Sequence, residues 1–161
     1  MKKTTQCLTI LSASFLLLGY AAHAEQISCD TAVKDLNSEL SSKKMNTIAD
    51  TKSLPDLLRT LNRGERLPAS YVTRQQAIQM GWSGKSNDSL WSVWELNRKS
   101  LGGDAYSGEP KLEGRWYVAN LDAVRGIPSA KYLVYSPDSD VRYVSTDNLK
   151  TLVKLKPCKY W

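Results

Sequence analysis

Histidine is almost missing from this chain: its 161 residues include one, His23, beside a single phenylalanine, Phe15, and three cysteines. Both His23 and Phe15 fall in a leader-like start. Lys2 and Lys3 form a basic patch, Leu8 to Tyr20 is mostly apolar, and Ala22-His23-Ala24 supplies the small-x-small pattern before Glu25. This is the pattern of a secretory signal peptide, cleaved after Ala24. The apolar run is shorter than the ~20 residues that span a bilayer, so no stable membrane anchor is expected. Cys7 precedes the run rather than closing it, which argues against a lipid-modified N-terminal cysteine. The remaining chain is expected to be secreted or periplasmic, and it has no imidazole at all.

Each shortage excludes something. Without histidine, neither an imidazole general acid nor an imidazole general base is available. After the leader only Cys29 and Cys158 remain, too few for an ordinary zinc site, so no metal and no cofactor are expected. An even pair in an oxidising compartment predicts a Cys29–Cys158 disulfide instead. Closing so long a loop is worth about 4–5 kcal/mol on the chain-entropy account. Strong charge is lacking too. The 22 basic residues less the two leader lysines leave 20 against 16 acidic ones, a net charge of +4. That suits a polyanion without requiring one.

What is present divides into helical and strand-like stretches. In SCDTAVKDLNSEL (28–40), Ser28 is a candidate cap, and Ala32, Val33, Leu36 and Leu40 recur at helical spacing. SSKKMNTIADTK is polar and reads as a linker or irregular arm. Leu54, Leu57, Leu58 and Leu61 mark a second amphipathic helix, with Pro55 tolerated in its first turn. TRQQAIQMGW fits a third, capped by Thr73 and stopped by Gly81. DSLWSVWELNRKS offers a further helical turn or two. After Gly114 the period changes to two: RWYVANLD, KYLVYS, VRYVS and TLVKLK read as strands separated by short turns. In the last, Thr151, Val153 and Leu155 face one way and the lysines the other. Helices first and a strand meander afterwards predict an α+β fold, with the helices packed on one face of an antiparallel sheet.

The order of pieces has a counterpart. LPASYVTRQQAIQMGW (67–82), KSLGGDAYS (99–107), GRWYVANLD (114–122), YLVYS (132–136) and RYVSTDNL (142–149) together resemble the barnase-type microbial ribonucleases. The likeness runs over roughly residues 54–156. It implies a ribonuclease-fold domain over 54–161, preceded by a helical arm at 25–53. Neither the arm nor the final CKYW belongs to the motif pattern.

Enzymes of that family cleave RNA by attack of a ribose 2′-hydroxyl on the adjacent phosphate. The reaction needs a base for the hydroxyl, an acid for the leaving oxygen, and cations for the charge building on phosphorus. The resemblance places the base at Val118, the acid at Asn148 and two arginines at Pro128 and Tyr132. An aspartate that holds those arginines falls at Asn120. None of these carries the family's residue. Asp122 shares strand parity with Val118, but four residues at about 3.3 Å each put it roughly 13 Å away, beyond hydrogen-bond reach. Asp147 precedes Asn148 and is expected to point to the other side.

Some binding positions do match. Arg74 sits where the family places a phosphate-facing lysine, and Ser107 and Glu109 match a guanine-reading loop, although that loop is shortened here. The base-stacking aromatic is replaced by Leu149. The leading expectation is an exported, monomeric, non-catalytic binding module with a degenerate site, a pseudoenzyme whose partner is a protein or RNA. The alternative is a histidine-free endoribonuclease in which Arg74, Arg115, Lys131 and Tyr132 converge on a phosphate. Most of the tyrosines and tryptophans are expected to pack in the core, Trp82 among them.

Overall fold

A computed structural model describes residues 26–64 and 66–159; the expected leader at 1–24 lies outside them. The first described elements are a two-residue strand β1 (Ile27–Ser28) and helix α1 (Cys29–Ser42). The Ser28 hydroxyl accepts the Thr31 amide at 3.1 Å and caps the helix as its sequence predicts. Ala32, Val33, Leu36 and Leu40 form the buried stripe of α1. The polar stretch that follows is irregular, but it is tied down. The Asn37 side chain both accepts from the Ile48 amide at 2.8 Å and donates to its carbonyl at 2.9 Å. Ile48 is thereby held in the core.

Helix α2 (Ser53–Asn62) has no capping side chain at Lys52; Asp50 does that work, accepting the Lys52 and Ser53 amides and the Ser53 hydroxyl. Its first turn accommodates Pro55, and Leu54, Leu57 and Leu58 are buried. A short strand β2 (Tyr71–Val72) leads to α3 (Arg74–Gln79). Here Thr73 and Gln76 form a reciprocal capping box, each side chain bonding the other's backbone amide. The stretch after Asp88 makes two single 3-10 turns, Leu90–Ser92 and Trp94–Leu96.

The sheet contains β2, β3 (Ser100–Ala105), β4 (Tyr117–Leu121), β5 (Lys131–Ser136), β6 (Ser139–Ser145) and β7 (Val153–Lys154), in that spatial order. β2 pairs parallel with β3; the remaining pairings are antiparallel. β8 (Cys158–Lys159) leaves this sheet and pairs parallel with β1. Cys29 and Cys158 are joined by a disulfide with Cα atoms 4.8 Å apart. It ties β8 to the start of α1.

One core lies between the sheet and the first two helices. The buried faces of α1 and α2 meet Ala119, Leu121, Leu133, Tyr135, Val144, Val153 and Leu155. Alternation on each strand therefore sends Val118, Asn120, Tyr132, Val134, Tyr143 and Ser145 to the opposite face. A second, smaller core gathers Val72, Ala77, Trp82, Leu90, Leu96 and Leu101. Among the described residues no helix is long and apolar enough to cross a membrane.

Candidate functional site

The sheet face turned away from α1 and α2 carries Val118, Asn120 and Tyr132, while Pro128 and Asn148 lie in the loops after β4 and β6. Two rows of side chains cross this face. Asp104 on β3, Val118 on β4, Val134 on β5 and Tyr143 on β6 are register partners in one row. Asn120, Tyr132 and Ser145 form the next. A bulge between Gly102 and Asp104, where Gly103 has φ +97°, brings Asp104 onto this face beside Val118. Trp116 shares the face and meets Tyr143 with ring centroids 5.7 Å apart.

Asn120 is buried, at 3% exposure. Its amide donates to the Ser129 carbonyl at 2.8 Å and the Lys131 carbonyl at 3.2 Å, while its oxygen accepts the Ser129 amide at 3.0 Å. An amide supplies both donors and acceptor for this job; a carboxylate would lack the donors. The side chain thus anchors the loop between β4 and β5, which contains Pro128. Tyr132, next in the row, is half-buried. Burial pushes its phenol up, against the neighbouring Asn120 amide and Arg74 guanidinium, which favour ionisation. The phenol stays protonated at neutral pH and cannot act as a base there.

Asn148 is exposed in the loop after β6, with φ +60°, and its backbone N–H donates to the Ala130 carbonyl at 2.8 Å. Asparagine is among the residues that tolerate this left-handed geometry. Its neighbour Asp147 accepts the Ser145 hydroxyl at 2.9 Å and the Thr151 amide at 2.9 Å, so its carboxylate is committed to the loop. Ser145 also accepts the Leu149 amide at 2.9 Å.

The cationic candidates are scattered. Arg74 lies at the edge of the face. Its guanidinium donates to the Gly84 carbonyl and sits 5.0 Å from the Trp82 ring centroid. Its backbone amide donates to Asp104 at 2.9 Å. Arg115 instead makes a two-pronged pair with Asp138, at 2.8 and 2.5 Å, on exposed surface. Lys131 belongs to the helix side by alternation and pairs with Asp122 at 2.8 Å. That carboxylate also accepts the Ala49 and Asp50 amides, at 2.7 and 2.9 Å. Asp122 was expected on the face of Val118, but β4 ends at Leu121 and a φ of +53° carries it away. Of the four groups expected to converge, only Arg74 and Tyr132 share a neighbourhood.

Ser107 and Glu109 are exposed on the loop after β3, where the Tyr106 hydroxyl donates to the Pro110 carbonyl at 3.0 Å. The residue that sequence reasoning missed is Asp104. It was visible within KSLGGDAYS, but its placement depends on the bulge at Gly103, which a strand pattern interrupted by two glycines hides. Among the described residues no group of three or more histidine, cysteine, aspartate or glutamate side chains is placed to hold a metal.

No family model matches the chain. It is 32% identical over 166 aligned residues to a protein of Bacillus pumilus named Ribonuclease, covering 97% of this chain and 100% of that protein. A protein of the same name from Bacillus intermedius is 31% identical, with the same coverage. Another, from Heyndrickxia coagulans, is 37% identical over 101 residues, covering 60% of this chain and 89% of its own. At 97% of the chain the two longer alignments extend into residues 25–53, beyond the run of motifs.

Proposed function

Because the chain belongs to the microbial ribonuclease family, we propose that it is a non-catalytic member, exported from the cell, that binds RNA on its open sheet face without cleaving it. The observation that carries this reading is the failure of the charged groups to converge. Arg115 and Lys131 are committed to ion pairs away from Tyr132, and Asn120 is taken up by the loop backbone. Val118 and Asn148, at the positions of base and acid, have no titratable proton. Loss of either role removes about 10²–10⁴ in rate. What the face retains suits stacking and weak charge attraction: Trp116, Tyr132 and Tyr143, with Arg74 at the edge. The disulfide suits an oxidising compartment.

A second reading rests on Asp104. It is the register partner of Val118, in the row where a base is needed, and Arg74 and Tyr132 lie near it. In that reading the protein is a histidine-free endoribonuclease. A fluorogenic single-stranded RNA assay separates the two, run on the wild type and on Asp104→Asn. No cleavage by either, with binding that weakens steeply as salt rises, is the expected outcome. Robust cleavage that Asp104→Asn abolishes overturns the non-catalytic reading and establishes the second.

A further inference from the structure

On the other side of the sheet, α2 stops short. The helix ends at Asn62, and Gly64 follows with φ +72° and nothing within 4 Å of where a side chain would begin. The groove here has a volume of about 1150 Å³, just above the roughly 300–1,000 Å³ of small-ligand sites. Tyr71, Tyr117, Tyr135 and Leu67 supply its aromatic and apolar walls. Tyr117 and Tyr135 are neighbours, with ring centroids 6.0 Å apart. Arg142 of β6 lies at its inner wall.

Arg142 is out of place among the residues that face the helices. It is 7% exposed, its Nη1 donates to Asn62 Oδ1 at 2.5 Å, and its buried Nε has no hydrogen-bond partner. It makes no ion pair among the described residues. Among the described residues lining the groove, Asp140 is the one acidic residue, against Arg66, Arg115, Arg142 and Lys159. A guanidinium buried without a carboxylate is costly, and an apolar residue would serve the core better. A planar fork with unused donors matches carboxylate or phosphate oxygens.

We propose that this groove is a ligand site, distinct from the open face, for a small aromatic anion whose carboxylate or phosphate meets Arg142 while its ring lies among Tyr71, Tyr117 and Tyr135. The phenols complete the chemistry. Burial, followed by the nearby Tyr117, pushes the Tyr135 hydroxyl up to about 12, and burial raises Tyr71 as well. Both remain neutral donors toward an anion at physiological pH. The site does not depend on whether RNA binds the opposite face.

The test is isothermal titration of the full mature chain with two probes, N-acetyl-phenylalanine and adenosine 5′-monophosphate. Saturable one-to-one binding of at least one is expected. The probe that saturates identifies carboxylate or phosphate as the anion. Arg142→Met should weaken that binding at least tenfold while its melting temperature stays equal to or above wild type, because a buried unpaired charge has been replaced. Arg142→Gln, which keeps a polar contact for Asn62, gives the same readout if the methionine variant folds poorly. Arg74→Ala, on the open face, should leave the affinity within about twofold, as distant sites do. Failure of both probes to saturate, unchanged affinity in the Arg142 variants, or loss of binding in Arg74→Ala overturns the proposal.

Discussion

Asn120 and Asp122, two positions apart, show how single side chains tie loops to the sheet. Asn120 satisfies three backbone groups of the β4–β5 loop, and Asp122 reaches across to the irregular arm and fixes it. Burial by itself would raise the Asp122 carboxyl. The Ala49 amide, the Lys131 ammonium and the Asp50 amide outweigh it and hold the group below the ordinary carboxylate range. A carboxylate depressed in the folded state contributes stability above its unfolded pKa, near 3.9, and loses that contribution as pH falls through the folded value. Asp122→Asn should therefore cost about 1.5–3 kcal/mol at neutral pH. The cost should shrink as the pH falls below the unfolded value and through the lower folded one. Paired urea titrations of wild type and variant across pH 2–7 check this. A difference that stays constant with pH would show that the charge on Asp122 is irrelevant.

At the scale of elements, the third helix and its sequel are the best test of local logic. The capping box at Thr73 starts the helix, Gly81 follows it with φ +114°, and Trp82 then turns into the smaller core at 3% exposure. Its indole donates to the Asp88 carbonyl at 3.1 Å. Trp82→Ala should cost about 3–5 kcal/mol in urea denaturation. A loss below about 1 kcal/mol would mean that the smaller core contributes little to the fold. Periodicity made this helix, α1, α2 and the strands β4 to β6 legible, because each presents a continuous apolar stripe. β3 was not legible as a strand, since Gly102 and Gly103 erase its alternation and the bulge changes its facing partway. TLVKLK reads as a longer strand than Val153–Lys154, though Val153 and Leu155 are buried as their alternation predicts. Within the site, the register brings Val118, Asn120 and Tyr132 to the open face, whereas the parity that put Asp122 beside Val118 fails because β4 ends at Leu121. The ion-pair partners of Arg115 and Lys131 depend on contacts 23 and 9 residues apart, which no local pattern encodes.

For the whole molecule, the disulfide decides how much of the chain behaves as one unit. It closes a loop of 129 residues, from the first turn of α1 to β8, and so encloses both cores. Around it, β1 and β8 pair through only two residues each, and the Asn62 amide donates to the Cys158 carbonyl at 2.8 Å. Such a short parallel ladder has little independent stability. The bond therefore contributes chiefly by limiting the unfolded chain, while α1 and α2 retain their packing on the sheet without it. Denatured, unreduced protein comprising residues 25–161 should show no free thiol. The Cys29→Ala, Cys158→Ala double variant should stay folded but lose about 2–5 kcal/mol, seen as an earlier urea midpoint. The slope of the transition should stay unchanged if the unlinked denatured chain were already as compact as the crosslinked one, and should rise if cutting the link lets it expand. We expect the rise, since a loop this long restrains most of the chain. An unchanged midpoint would place the stabilising work entirely in the two cores and leave the disulfide without a thermodynamic role.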